Sequence, residues 1–373
     1  MNKSDLQIDF KTVKLFREIA QIVAPPPILT VSQWADRYRK LSAESAAEPG
    51  QWNTDRAPYQ REILDAVNAP ASQEVVIMSS AQVGKTELIL NTIGYYVDYD
   101  PAPILVVQPT LDMAQAFSKD RLAPMIRDTP ALTDKVKDSK SRDSGNTILH
   151  KKFPGGHITM AGANSPASLA SRPIRIVLMD ETDRYPASAG GEGNPIKLAE
   201  KRTNTFWNRK KIKVSTPTIK GESQIEKEFL SGSQEEWCVP CPCCGRFQPY
   251  EWGRIHFSDA TMECSFCGEH ISEMDWKQQT GKYIAKFPDR RRKRSFHLNE
   301  LASPWKHWEE IIRDFQEANK ELKENGDINK MKTFINTSLG ETWEERGKSA
   351  ADDSLLSRRE RYEAEIPDGV LLL

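Results

Sequence analysis

The sequence predicts an α/β fold: a parallel sheet with helices on both faces, into which a small cysteine-rich segment is inserted. Three observations predict it. Short apolar runs at residues 75–78 and 104–107 read as buried strands, and 157–161, 174–179 and 211–215 as further strands; strands that are apolar on both faces belong inside a covered parallel sheet. Helical spacing fills intervals between them, as at 86–97, where residues 88, 89, 90, 93 and 97 are apolar, and at 113–126. All six cysteines lie between Cys238 and Cys267. Such clustering points to a metal rather than to a disulfide framework, since Met1 to Phe10 form no apolar signal-peptide core.

The chain has 373 residues, enough for a large core in two or three domains. Residues 11–23 read as an amphipathic helix ended by Pro25, Pro26 and Pro27, and Thr30 to Arg39 as a second helix capped by Thr30 or Ser32. Residues 42–56 read as loop and 59–67 as helix. The stretch 236–272, rich in proline and glycine, interrupts the pattern, which resumes at Phe296-His297-Leu298 and a helix over 305–318. The net charge of −1 gives no global field toward nucleic acid, so any such contact must be local. No run of 18 apolar residues suggests a membrane span, which leaves the cytoplasm as the expected compartment.

The sharpest motif follows the strand at 75–78. Ser79, Ser80, Ala81, Gln82, Val83, Gly84, Lys85 and Thr86 lead into a helix. The usual phosphate loop is Gly, four residues, then Gly-Lys-Ser/Thr, and here Ser79 stands for the first glycine. Backbone N–H groups at the helix start suit phosphates, Lys85 suits the β- and γ-phosphates, and the Thr86 hydroxyl suits Mg²⁺. Some 95 residues on, the strand 174–179 ends in Asp180-Glu181. Asp180 is the candidate Mg²⁺ ligand and Glu181 the group that orients and deprotonates water. A solvated acidic turn is the bland alternative for that pair, and a mere helix start for the loop. Together they predict an ATPase with a P-loop NTPase fold of the ASCE type. Thr216, in Val214-Ser215-Thr216-Pro217-Thr218, is a candidate sensor of the γ-phosphate.

Cys241 and Cys244, and Cys264 and Cys267, form two C-x₂-C knuckles, each followed by glycine. Four thiolates at this spacing predict a closed, structural Zn²⁺ site, a zinc ribbon. Cys238 also forms a C-x₂-C with Cys241, a minor alternative pairing. Two basic patches stand out. Lys201 to Lys213 includes Phe206 and Trp207, and Lys282 to His297 contains Arg290, Arg291, Arg292, Lys293 and Arg294. These five are candidate sequence-blind DNA contacts, with an ordinary solvated surface as the alternative.

These motifs, with Trp34-Ala35-Asp36, Arg39, Leu41-Ser42, Pro58-Tyr59-Gln60, Glu87, Asp180 to Pro186, Ser215-Thr216-Pro217 and Asn336 to Trp343, run in one order from about residue 30 to the end. The sequence so resembles the large terminase subunit of tailed phages, in its lambda-like GpA branch. That resemblance implies an ATP-driven motor, assembled as a homo-oligomeric ring on a portal protein in the host cytoplasm. It would act with a small terminase subunit and pump double-stranded DNA into a procapsid. It implies Tyr59 and Gln60 near the adenine and one arginine, from Arg172, Arg121 and Arg202, at the γ-phosphate. The expected layout is an N-terminal helical segment (1–57), an ATPase core (58–235), the ribbon (236–272), continuation of the ATPase domain with a helical lid (273–350), and a linker (351–373) toward a nuclease domain expected to be absent. No nuclease activity is therefore expected. A helicase-like remodelling ATPase and a zinc-ribbon DNA-binding module with an inert nucleotide fold are the competing readings. The first should carry a second motor domain, and the second should show no ATP turnover.

Overall fold

A computed structural model describes residues 12–16, 29–44, 46–137, 146–170 and 172–345. Of the helix expected over 11–23, the described part, 12–16, is helical; the expected linker at 351–373 lies outside the described residues. Ten strands carry the architecture: β1 (Glu74–Ser79), β2 (Ile104–Gln108), β3 (His150–Phe153), β4 (Gly156–Gly162), β5 (Ile176–Asp180), β6 (Lys210–Ser215), β7 (Glu235–Pro240), β8 (Phe247–Pro249), β9 (Lys282–Ala285) and β10 (Lys293–Leu298). They form one parallel-rich sheet in the order β8-β7-β10-β1-β6-β5-β2-β4-β3, with β9 paired to β7 off that path. The strands β2 and β5 are buried along their whole length, as their unbroken apolar runs require. Among the described residues no helix is long and apolar enough to cross a membrane.

Contacts divide the chain into two units, and β1, β5 and β6 contribute to both. The first unit holds α1 (Val31–Tyr38), α2 (Tyr59–Asn68), nearly all of α3 (Lys85–Asp98), and α4 (Leu111–Phe117). Thr30 caps α1 in a reciprocal box with Gln33. The motif residues Trp34 and Arg39 clamp α1 to α3: the Trp34 indole donates to Asp98 at 2.6 Å, and the buried Arg39 pairs with Glu87 at 3.0 Å. Gly94 gives that indole room, since a Cβ there would lie 2.2 Å from it. In this unit β2 and β4 run parallel, from Ile104 opposite Ile158 to Gln108 opposite Gly162, and β3 closes the edge antiparallel to β4.

The helix expected over 113–126 is three pieces: α4, a π-turn over Ser118–Leu122, and a last helix over Ala123–Asp128. Pro124 in that last piece lacks the N–H that a continuous helix would need.

The second unit holds the C-terminal parts of β1, β5 and β6, the whole of β7 to β10, and the helices α5 (Gln224–Leu230), α6 (Trp308–Asn325) and α7 (Asn329–Phe334). Val76 and Met78 pack on Ile225 and Phe229 of α5. A small antiparallel sheet, Ile255–His256, Thr261–Glu263 and His270–Ser272, stands beside the helices. Trp252, Phe257, Phe315 and Phe334 fasten it to α6 and α7, with ring centroids 5.1–5.4 Å apart. The cysteine segment is less separate than its composition suggests. Its first knuckle is the turn of the β7–β8 hairpin, within the large sheet.

Candidate functional site

The loop after β1 is held from behind. Ser80 N–H donates to the Leu298 carbonyl at 2.9 Å and Ala81 N–H to the Thr337 carbonyl at 2.7 Å. Those two donors are thereby committed to the protein. Gln82, with φ +58°, and Gly84, with φ +84°, then turn the chain into α3. A left-handed glutamine is uncommon and marks a backbone held for a purpose. Ser79 and Ser80 are fully buried, Val83 is buried, and Gln82 is exposed. Lys85 opens α3 and Thr86 is its second residue.

Three separated segments meet at the Lys85 ammonium. It hydrogen-bonds the Thr216 hydroxyl, just beyond β6, and lies 3.5 Å from Glu181 Oε1, just beyond β5. Burial pushes the Lys85 pKa down, and Glu181 and Asp180 pull the other way. Asp180 is buried at the end of β5, and Glu181 sits in the left-handed region with φ +52°. Two of the four described non-glycine residues with positive φ, Gln82 and Glu181, thus lie at this one site. Burial also raises the neighbouring Tyr185 phenol, reinforced by Asp180.

Asp183 buttresses the acidic turn. Its backbone N–H donates to Ser215 Oγ at 3.2 Å, and its carboxylate accepts from Thr218 Oγ1 at 2.9 Å and from Ile225 N–H at 2.7 Å. The motif Asp180 to Pro186 therefore carries a structural member beside its acidic pair.

The other residues expected around the nucleotide belong to the first unit. Tyr59 and Gln60 are buried in α2 of the first unit. Arg172, Arg121 and Arg202 also belong to that unit. Arg172 is exposed 3.4 Å from His150 Nε2, Arg121 lies close enough to act on the Glu87 carboxylate, and Arg202 ends the helix Pro195–Lys201. Sequence reasoning passed over Arg184, whose guanidinium is 3.7 Å from Glu181 Oε2. Its spacing, three residues past Glu181 in one short turn, was the available signal.

The basic run is largely occupied. Arg290 donates to the carbonyls of Leu230 and Gly232 and stacks on Phe287. Lys293 pairs with Glu228, and Arg294 makes a two-pronged pair with Glu235 at 2.8 and 2.5 Å. Arg291 and Arg292 are exposed.

Cys241, Cys244, Cys264 and Cys267 converge, with sulfurs 3.8 Å apart between Cys241 and Cys267 and between Cys244 and Cys264. The knuckles repeat one geometry. Gly245 N–H donates to the Cys241 carbonyl and Gly268 N–H to that of Cys264, at φ +71° and +72°. Cys238 lies outside the four, and burial raises its thiol to about 12.

Comparison with known proteins gives two domain matches. The ATPase domain of the phage terminase large subunit gpA matches residues 46–283, and the endonuclease domain of the same subunit matches 293–373. The second match overturns the expectation that the nuclease part, and with it any nuclease activity, is absent from this chain. The terminase large subunit of Enterobacteria phage P21 is 30% identical over 95% of this chain and 59% of its own length. That of Escherichia phage lambda is 28% identical over 100% of this chain and 62% of its own. The chain thus spans about three fifths of these relatives' length. Among solved structures, the Thermus phage P74-26 large terminase ATPase domain aligns with TM-score 0.42 and 15% identity, covering 77% of this chain and 96% of that one. The HK97 bacteriophage large terminase aligns with TM-score 0.40 and 16% identity, over 50% and 38%. The match over residues 46–283 takes in the loop, the acidic strand and all four clustered cysteines, and the chain belongs to the phage terminase large subunit gpA family through its ATPase domain.

Proposed function

We propose that this chain is the ATP-hydrolysing part of a packaging motor, which binds ATP with Mg²⁺ at residues 79–86 and drives double-stranded DNA into a procapsid. The observation that carries this reading is the convergence of Lys85, Glu181 and Thr216 from three segments distant in sequence. The order β1-β6-β5 supports a P-loop fold of the ASCE type, because β6 brings Thr216 between the loop and the acidic pair.

The residues fit a triphosphate and its metal. Lys85 is a buried cation held by carboxylates, poised to exchange them for phosphate oxygens. Asp180 and the Thr86 hydroxyl would hold Mg²⁺, which supplies charge neutralisation on the β- and γ-phosphates. When Lys85 turns to phosphate, Glu181 Oε1 gives up that cation and is freed to orient a water and take its proton, while Oε2 keeps Arg184 beside it. Thr216 then reports whether the γ-phosphate is present. Tyr59 and Gln60 remain the proposed adenine contacts.

The four thiolates fit Zn²⁺. A tetrahedron with Zn–S bonds of about 2.3 Å has edges of about 3.8 Å, which is the sulfur spacing found. Such an ion orders the ribbon and takes no part in hydrolysis. Partners follow from the family reading: a portal protein, a small terminase subunit and further copies in a ring, in the host cytoplasm at the procapsid. Arg290, Arg291 and Arg292 are the exposed members of the basic run proposed to meet DNA.

The test is ATP turnover by Glu181→Gln and Lys85→Ala. Glu181→Gln should still bind ATP with Mg²⁺ but lose turnover by a factor on the order of 10² or more. Lys85→Ala should lose affinity as well. Wild-type turnover in Glu181→Gln would refute the assignment.

A further inference from the structure

We propose that His256, Glu263 and His270 form a second metal site, free of sulfur, for a borderline transition ion such as Zn²⁺, Ni²⁺ or Cu²⁺. The donor set shares no residue with the four cysteines, although Glu263 and His270 flank the Cys264–Cys267 knuckle, and it does not depend on the ATPase reading.

The small antiparallel sheet builds the site by its register. Ile255 lies opposite Met262, and Met262 opposite Ile271. All three are buried and fix which face of the sheet points inward. Side chains alternate along a strand, so the next residue on each strand faces the other way. His256 lies opposite Thr261, and Glu263 lies opposite His270. Two imidazoles and one carboxylate, one from each strand, therefore share the outer face.

Their donor atoms lie within 4.8 Å of one another. His256 Nε2 is 4.0 Å from Glu263 Oε2, and the two imidazole centroids are 3.8 Å apart at 65°. An ordinary cross-strand pair accounts for Glu263 beside His270. It does not account for His256, which reaches from the third strand onto the same point.

The donor set suits a borderline ion. Zn–N and Zn–O bonds of about 2.0–2.1 Å put tetrahedral donors about 3.3 Å apart. The present donor atoms lie within 4.8 Å of one another, and the side chains that carry them are partly exposed on one sheet face. Three protein ligands leave one position for water or another oxygen ligand. Asp259, in the turn before Thr261, accepts from the Thr261 hydroxyl at 2.9 Å and lies close enough to act on both imidazoles, so its charge favours a cation. Imidazole and carboxylate ligands rank Cu²⁺ above Ni²⁺ and Zn²⁺.

The experiment uses the whole 373-residue chain, first made zinc-replete so that the thiolates are filled. One equivalent of Cu²⁺ is then added and read by electron paramagnetic resonance. The expected spectrum shows nitrogen couplings from two imidazoles and no thiolate-to-copper absorption. His270→Ala and His256→Ala should each abolish that signal and leave the tight zinc content unchanged. Glu263→Gln should weaken copper binding while keeping both nitrogens. A wild-type spectrum without two-nitrogen coupling overturns the proposal, whatever the variants do. So does an unchanged spectrum in His270→Ala.

Discussion

Gly340 presses against the loop after β1, and replacing it with alanine measures how much that loop depends on the contact. A Cβ at Gly340 would lie 2.6 Å from Ser80 N, 2.9 Å from Ser79 C and 3.0 Å from the Leu298 carbonyl. All three are backbone atoms, so no flexible side chain can move aside. Gly340 also has φ +66°, which costs an alanine about 1 kcal/mol. Overpacking adds about 1–3 kcal/mol, and disturbing the Ser80–Leu298 hydrogen bond adds about 1 kcal/mol. The expected loss is about 3–5 kcal/mol, or a loop pushed off its geometry to relieve it. Gly326, at the end of α6, is the control: its φ is +68°, but a Cβ there meets nothing within 4 Å. Gly326→Ala should cost only the backbone term, about 1 kcal/mol. Urea denaturation gives the stabilities, and ATP binding by calorimetry reports the loop. Equal stability losses and equal ATP affinity for the two variants would refute the reasoning.

Glu228 sits between Lys213, which is 1% exposed, and Lys293. Burial opposes its charge, but the two lysines hold its pKa at about 2. This lies below the unfolded value of about 4.3, so the stabilisation is complete above that value and is lost as pH falls toward 2. It amounts to about 2–3 kcal/mol, taken at the lower end because water reaches part of the carboxylate. Glu228→Gln should lose about that much at pH 7 and flatten the acid limb; an unchanged denaturation midpoint between pH 5 and 2.5 would contradict it. Arg184→Ala should lower ATP turnover on the order of 10²-fold or more if its guanidinium meets developing phosphate charge. A drop of at most about fivefold would leave it as an exposed ion pair. Cys264→Ser should remove the tight zinc and unfold the ribbon locally; unchanged zinc in elemental analysis would mean that the ligand set is wrong.

The buried strands were legible because burial on both faces writes itself as an unbroken apolar run, as in Ile104–Gln108. The strands that escaped reading sit at edges or carry charge. β3 reads His-Lys-Lys-Phe and β9 Lys-Tyr-Ile-Ala, each with one face open to water. The loop, the acidic pair and the knuckles were legible because each is a local pattern set by a local turn. What depends on distant partners was hidden. Arg290, Lys293 and Arg294 read as a free basic surface, yet their partners stand about sixty residues earlier, around α5. Arg184 was missed because its ion pair with Glu181 is made across the left-handed turn at Glu181, so the three-residue spacing was the one trace of it in the letters Asp-Glu-Thr-Asp-Arg.

The boundary between the two matched domains, between residues 283 and 293, does not coincide with a boundary in the fold. β10 lies between β7 and β1 in the large sheet, although its residues fall in the endonuclease match. Leu298 and Thr337, which hold the loop after β1, fall there too. So does Trp343, whose N–H donates to the Thr218 carbonyl at 2.8 Å and whose carbonyl accepts from Lys220 N–H at 2.9 Å. Thr342 adds a hydrogen bond to Glu226 at 2.7 Å. The loop after β1 and the turn after β6 are thus each tied by backbone to the stretch 298–343. A shift of Ser80 or Ala81 must carry Leu298 and Thr337 with it, or break bonds worth about 1 kcal/mol each. A shift of Thr216 faces the same choice through Thr218 and Trp343. Lys85 and Thr216 each lie within a few residues of a backbone hydrogen bond to the stretch 298–343, through Ala81 and Thr337 for one and through Thr218 and Trp343 for the other.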